Sequence, residues 1–120
     1  MRVELCRKYN FAAAHFLPNV PEGHKCRRLH GHSYELEVAV RGEVERETGW
    51  LMDYADIDGE VKPVVAEIDH RTLNEVPGFL NATAEELCGW LWERLQDRLP
   101  GLYRVSIAET CTAACHYYGD

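Results

Sequence analysis

His30-Gly31-His32-Ser33-Tyr34-Glu35-Leu36-Glu37-Val38-Ala39-Val40-Arg41 is the stretch on which the fold turns. Tyr34, Leu36, Val38 and Val40 alternate with Glu35, Glu37 and Arg41, the period of a strand with one face on a core and the other in water. Upstream, Val3, Leu5, Tyr9 and Phe11 alternate in the same way through a segment running from Val3 to Phe11. The two segments are expected to pair antiparallel, joined by a loop that holds Pro18, Pro21 and Gly23. In a strand from His32 through Val40, His30 and His32 are two positions apart and project from one face.

Further along, the period changes to that of a helix. Ile57, Val61, Val64, Val65 and Ile68 make an apolar stripe between about Tyr54 and Ile68, with Pro63 a weak point within it. A second helix opens on Thr83, where Glu86 completes the pattern of a capping box; Leu87, Trp90, Leu91 and Leu95 then share a face until Pro100-Gly101. Trp90 and Trp92 read as packing. Tyr103–Glu109 gives a third strand, and a short last one is expected around His116-Tyr117-Tyr118. The order ββααββ predicts an α+β fold with a four-stranded antiparallel sheet.

At 120 residues and 46% hydrophobic content, the chain reads as a single domain spanning residues 1–120. No apolar run is long enough to cross a bilayer and Met1-Arg2-Val3-Glu4 does not open a signal peptide, so a cytoplasmic location without a membrane partner is expected. Cys6, Cys26, Cys88, Cys111 and Cys115 are odd in number and irregularly spaced, unlike a secreted disulfide framework. A formal charge of −7 opposes attraction to a phosphate backbone, which argues against nucleic acid. Against that background Lys25, Arg27 and Arg28 reverse the local charge around Cys26. A small anionic substrate would suit them; a solvated loop is the other reading.

His15, His30 and His32 are the candidate metal ligands. Three neutral imidazoles suit Zn2+ and leave one position open for water or substrate, the pattern of a catalytic site. Cys26 has two readings: a reactive thiol favoured by its basic neighbours and a nearby metal, or a fourth ligand that closes the site and makes it structural. Asp69-His70 either caps the first helix or moves protons, although adjacent side chains on a regular element do not face each other. Glu109 ends an apolar strand with a carboxylate that needs donors, from a ligand or from water. Cys111, Cys115 and His116 read as structural.

As an ordered set these segments go further. Phe11-Ala12-Ala13-Ala14-His15, Lys25-Cys26-Arg27-Arg28-Leu29-His30-Gly31-His32-Ser33-Tyr34, Gly49-Trp50-Leu51-Met52-Asp53-Tyr54, Asp69-His70-Arg71-Thr72-Leu73-Asn74 and Glu109-Thr110-Cys111 resemble the family of 6-pyruvoyl-tetrahydropterin synthase and 6-carboxytetrahydropterin synthase. The resemblance implies the T-fold, or tunnelling fold: an antiparallel sheet with two helices on one face, whose subunits join edge to edge into a barrel and stack ring on ring, as a homohexamer of two trimers. One departure is Asn81-Ala82-Thr83, where the family usually has proline before the threonine; Thr83 is left to cap the helix and face a pterin.

By the same resemblance, zinc falls to His15, His30 and His32, the catalytic thiol to Cys26, the Asp–His pair to Asp69 and His70, and the pterin-anchoring carboxylate to Glu109. The implied activity converts 7,8-dihydroneopterin triphosphate to 6-carboxy-5,6,7,8-tetrahydropterin, acetaldehyde and triphosphate, in the biosynthesis of queuosine precursors. With only Arg27, Arg28 and Leu29 between Cys26 and His30, the chain looks like that branch, and so does its closing Glu109-Thr110-Cys111-Thr112-Ala113-Ala114-Cys115; the pyruvoyl-forming branch is the alternative. Lys25, Arg27 and Arg28 are assigned to the triphosphate from charge alone. A zinc hydratase or hydrolase and a non-enzymatic module with a closed structural zinc are the more distant readings, and the role given to Cys26 separates them.

Overall fold

Both N-terminal segments run further than their apolar alternation. In the computed structural model, which describes residues 1–120, β1 spans Arg2–His15 and β2 spans His30–Glu43. They pair antiparallel without interruption from Arg2↔Glu43 to His15↔His30. Tyr9, Phe11, Ala13 and His15 on β1 and Tyr34, Leu36, Val38 and Val40 on β2 are buried on one face, as the pleat requires. Then follow α1 (Tyr54–Ala66), β3 (Arg71–Thr72), α2 (Ala84–Leu95), β4 (Leu102–Thr110) and β5 (Ala113–Tyr117).

The sheet has five strands where four were expected, in the order β3-β1-β2-β4-β5. The extra strand, β3, is a two-residue parallel pairing with Ala13 and Ala14 of β1. It is too short to carry a periodic signal, and docking of the preceding turn creates it, through the His70 N–H on the Ala12 carbonyl at 2.6 Å. β4 pairs antiparallel with β2, setting Ile107 opposite Leu36 and Val105 opposite Val38. β5 begins at Ala113, earlier than its aromatic end suggests, because the chain reverses just past Thr110.

α1 and α2 cover the apolar face. Asp53 caps α1, its carboxylate accepting from the Ala55 N–H at 2.9 Å, and Ile57, Val61, Val64, Val65 and Ile68 are buried as their spacing predicts. Pro63 lies within α1, which continues to Ala66. At α2 the Thr83 hydroxyl accepts from the Glu86 N–H at 3.2 Å. The Glu86 carboxylate reaches past Thr83 to the N–H groups of Asn81 at 3.0 Å and Leu80 at 3.1 Å, and the Asn81 bond leads in holding this carboxyl below its ordinary value. α2 stops at Leu95, ahead of the proline expected to end it. The Arg98 and Leu99 N–H groups both turn onto the Leu95 carbonyl at 3.0 Å, closing the last turn. Trp90 packs on Phe79 and donates its indole N–H to the Pro77 carbonyl at 3.2 Å, a structural role. Neither helix is long and apolar enough to cross a membrane.

Gly101 opens β4 in the left-handed region at φ 81°, where a Cβ would stand 2.3 Å from the Arg41 carbonyl oxygen. Gly101→Ala is therefore expected to destabilise the fold by about 2–4 kcal/mol, through strain and backbone collision. Gly59, inside α1 with open space at its Cβ, gives the contrast. Gly59→Ala should be neutral or stabilise by up to about 1 kcal/mol. Urea unfolding of the two variants measures both.

Candidate active site

Register builds the centre of the site. Pairing of His15 with His30 puts two imidazoles side by side at the end of the hairpin, and His32 joins them from the same face. Ring centroids lie 4.5, 5.0 and 4.9 Å apart, and one ligating nitrogen of each ring lies within 4.8 Å of the others. Nδ1 of His15 donates to the Ala82 carbonyl at 2.6 Å, and Nδ1 of His30 to the Arg28 carbonyl at 2.7 Å. A carbonyl only accepts, so both rings carry their proton on Nδ1, and two Nε2 lone pairs face one another at 3.0 Å.

That arrangement repels itself unless a cation lies between the two nitrogens. Imidazoles backed by carbonyls are also how proteins orient metal-bound histidine. Tetrahedral nitrogen ligands at about 2.0–2.1 Å from zinc stand roughly 3.3–3.4 Å from one another, a spacing that three imidazole nitrogens within 4.8 Å of each other can reach by small side-chain adjustments. Burial lowers the His32 imidazole from its ordinary value; Glu109 opposes the shift, and the two neighbouring rings add to it. The neutral form, the one a metal needs, is favoured. Beneath the rings Tyr34 is buried and stacked on Phe11 at 5.0 Å, and burial, then Glu109, pushes its phenol up.

The histidines form one wall of a cleft of about 720 Å³. Cys26 and the basic Lys25 and Arg28 enter it from the connection between β1 and β2, Thr83 from the cap of α2, and Glu109 from β4. Glu85, which carried no sequence signal of its own, also faces it. The three imidazoles converge without Cys26.

Two sequence-derived assignments lie elsewhere. Arg27 turns away from the cleft, its guanidinium Nη1 donating to the carbonyls of Pro18 and Val20, each at 2.8 Å. Asp69 and His70 do form a pair, with the carboxylate accepting from the ring Nδ1 at 2.8 Å. The local geometry that makes this possible is a left-handed turn: His70 has φ 59°, alone among the non-glycine residues in taking a positive φ. Asp69 also accepts from the Ala12 N–H at 3.0 Å, and that bond, ahead of His70, lowers its carboxyl. His70 faces a second cleft, lined by Ala12, Ala14, Gly31 and Ser33 among others, which shares only His32 with the first.

Sequence reading gave no role to two residues that organise the site. His24 accepts the Cys26 N–H on its Nδ1 at 3.1 Å. Asn74 grips the backbone next to His15 by both ends of its amide, accepting from the Phe16 N–H at 2.9 Å and donating to the Phe16 carbonyl at 2.8 Å. The partners are main-chain groups, distant in sequence for Asn74, so residue type alone gives no sign of them.

Residues 4–120 match the family model described as 6-pyruvoyl tetrahydropterin synthase. The chain is 38% identical to the 6-carboxy-5,6,7,8-tetrahydropterin synthase of Synechocystis, covering 93% of this chain and 90% of that protein. It is 37% identical to the dihydroneopterin monophosphate aldolase of Pyrococcus furiosus, with 91% of each covered. Among solved structures, the 6-pyruvoyl tetrahydropterin synthase of Caenorhabditis elegans superposes with a TM-score of 0.91 at 29% identity, covering 100% of this chain and 97% of that one.

Asn74→Ala leaves the half-buried Phe16 N–H and carbonyl without partners beside His15. A loss of about 1–3 kcal/mol in unfolding free energy is expected from urea titration.

Proposed function

The chain belongs to the 6-pyruvoyl tetrahydropterin synthase family, and from that premise we propose that it is a zinc-dependent lyase acting on 7,8-dihydroneopterin triphosphate. In this reading the products are 6-carboxy-5,6,7,8-tetrahydropterin, acetaldehyde and triphosphate, and the reaction feeds queuosine biosynthesis. One observation carries it: a thiol, a carboxylate and three convergent imidazoles face a single cleft, with the thiol outside the metal-ligand set. The likeness to the Synechocystis protein, and the short interval from Cys26 to His30, support the carboxy-forming branch.

Bound by His15, His30 and His32, zinc supplies Lewis acidity toward the oxygens of the substrate side chain. Glu109 holds the ring, since a carboxylate can accept two roughly parallel N–H bonds from the pterin amino group and the adjacent ring nitrogen. Lys25 and Arg28 offer positive charge at the same cleft to the triphosphate, and Thr83 contributes a wall at the ring. Cys26, as thiolate, removes a proton from the side-chain carbon next to the ring.

His70 then returns or relays the proton, with Asp69 fixing its orientation and charge. Within one subunit His70 faces a different cleft, so in this reading it serves the cleft of a neighbouring copy. The sheet leaves β5 and most of β1 unpaired at its two edges, which closure into a ring of subunits would satisfy. A homohexamer of two stacked trimers follows from the family resemblance.

The purified protein is expected to hold about one zinc per subunit and to lose it in His30→Ala, whereas Cys26→Ala keeps its metal and loses turnover. Metal analysis beside kinetics checks this; loss of zinc in Cys26→Ala would instead favour the closed structural site. Incubating the zinc-loaded protein with 7,8-dihydroneopterin triphosphate should release acetaldehyde and leave the carboxylated pterin, read by mass spectrometry. With 6-pyruvoyl-tetrahydropterin as main product and no acetaldehyde, the chain moves to the other branch; with no turnover at all, the reading fails.

A further inference from the structure

Cys26 sits on the connection between β1 and β2, residues 16–29, whose only regular element is one 3-10 turn at Lys25–Arg27. A connection of this length without longer elements is ordinarily mobile or functional. A proton-moving thiol cannot tolerate such mobility, because misplacing a reacting group by about 1 Å can cost on the order of a hundredfold in rate. Here the thiol's own main chain is held at both ends. The Cys26 carbonyl accepts from the Leu17 N–H at 2.7 Å, and its N–H donates to His24 Nδ1 at 3.1 Å.

Arg27 supplies the next restraint. Its Nη1 nitrogen carries two N–H groups, and both are spent, on the carbonyls of Pro18 and Val20 at 2.8 Å each. One charged donor thus ties the return leg of the connection to its outgoing leg, and charge-assisted bonds are about twice as strong as neutral ones. The outgoing leg is itself fastened to the body of the protein, by Phe16 on Asn74 and by Asn19 Nδ2 on Asn81 Oδ1 at 2.7 Å. Lys25 and Arg28 line the cleft on either side; Arg27 does not.

The geometry points to Arg27 as a positioning residue that acts through Cys26, clasping the connection so that the thiol stays over the cleft, and not as a ligand of the triphosphate. The inference rests on the reading of Cys26 as the proton-moving group. It corrects the assignment that charge alone suggests for Arg27.

The test uses the zinc-loaded full chain with Arg27→Met and Arg27→Lys. In Arg27→Met, kcat with 7,8-dihydroneopterin triphosphate should fall about ten- to a hundredfold while KM stays within about twofold and zinc content is unchanged. Amide hydrogen exchange in peptides spanning residues 16–29 should speed up about tenfold or more. Arg27→Lys, whose ammonium has donors for both carbonyls, should recover most of the lost kcat and of the protection. A tenfold rise in KM with kcat intact would make Arg27 a phosphate contact and overturn the proposal. So would unchanged exchange in Arg27→Met. Should the unaltered protein fail to turn over the substrate, the pterin reading falls, while exchange still decides whether the clasp exists.

Discussion

The antiparallel register of β1 and β2 is the constraint on which the remainder depends. It pairs Phe11 with Tyr34 and Tyr9 with Leu36 deep in the core, and the same ladder ends with His15 opposite His30. A slip by one residue would send every side chain of one strand to the other face, exposing Leu36, Val38 and Val40 while dispersing the imidazoles. The apolar core therefore fixes the arrangement of the three histidines as a consequence of fixing itself, and the charged outer face of β2 makes the slipped alternative costly. Burial of Val105 and Ile107 opposite Val38 and Leu36 extends this constraint to β4 and brings Glu109 to the same end of the sheet.

The helical layer is locked to that hairpin by polar contacts as well as apolar ones. Asp58 on α1 accepts two bonds from Arg7, each at 2.9 Å, and one from the Tyr9 hydroxyl at 2.6 Å. Arg7, then Tyr9, hold its carboxyl down to about 2. A carboxylate depressed by folding contributes stability that is fully present above its unfolded value of about 3.9 and fades as pH falls toward the folded one. At neutral pH this tie is intact. It joins the middle of β1 to α1, so the helix layer is anchored away from the cleft and leaves the histidine end of the hairpin open.

What the sequence revealed, and what it hid, follows from the range of the interactions involved. Alternation in β1, β2 and β4 and the stripes of α1 and α2 are repeated over many residues, so each element announces itself. β3 has two residues and exists because the Asp69–His70 turn docks on Ala12; nothing repeats. The histidine set was legible because His30 and His32 share a strand face at fixed spacing. The pairing of Asp69 with His70 followed only from the family resemblance and not from spacing, since it depends on a left-handed backbone at His70 that no neighbouring glycine marks. Charge identified Arg27 as basic but carried no direction, and its side chain turned to main-chain carbonyls within its own connection.

The supports of the site come mostly from irregular segments made rigid by side-chain bonds to the backbone. The carbonyl that fixes the His15 tautomer belongs to Ala82, just ahead of the α2 cap, and the one that fixes His30 belongs to Arg28, at the end of the thiol-bearing connection. Glu86 holds Asn81, and Asn81 holds Asn19, so the two supporting segments are tied to each other as well as to the rings. This explains how alanine can stand at position 82, where the resemblance leads one to expect proline. The histidine cluster uses only the carbonyl of that residue, which both amino acids present. The rigidity a proline would bring is supplied here by the Glu86 carboxylate on the preceding N–H groups, which restrains the folded chain but does not reduce the freedom of the unfolded one.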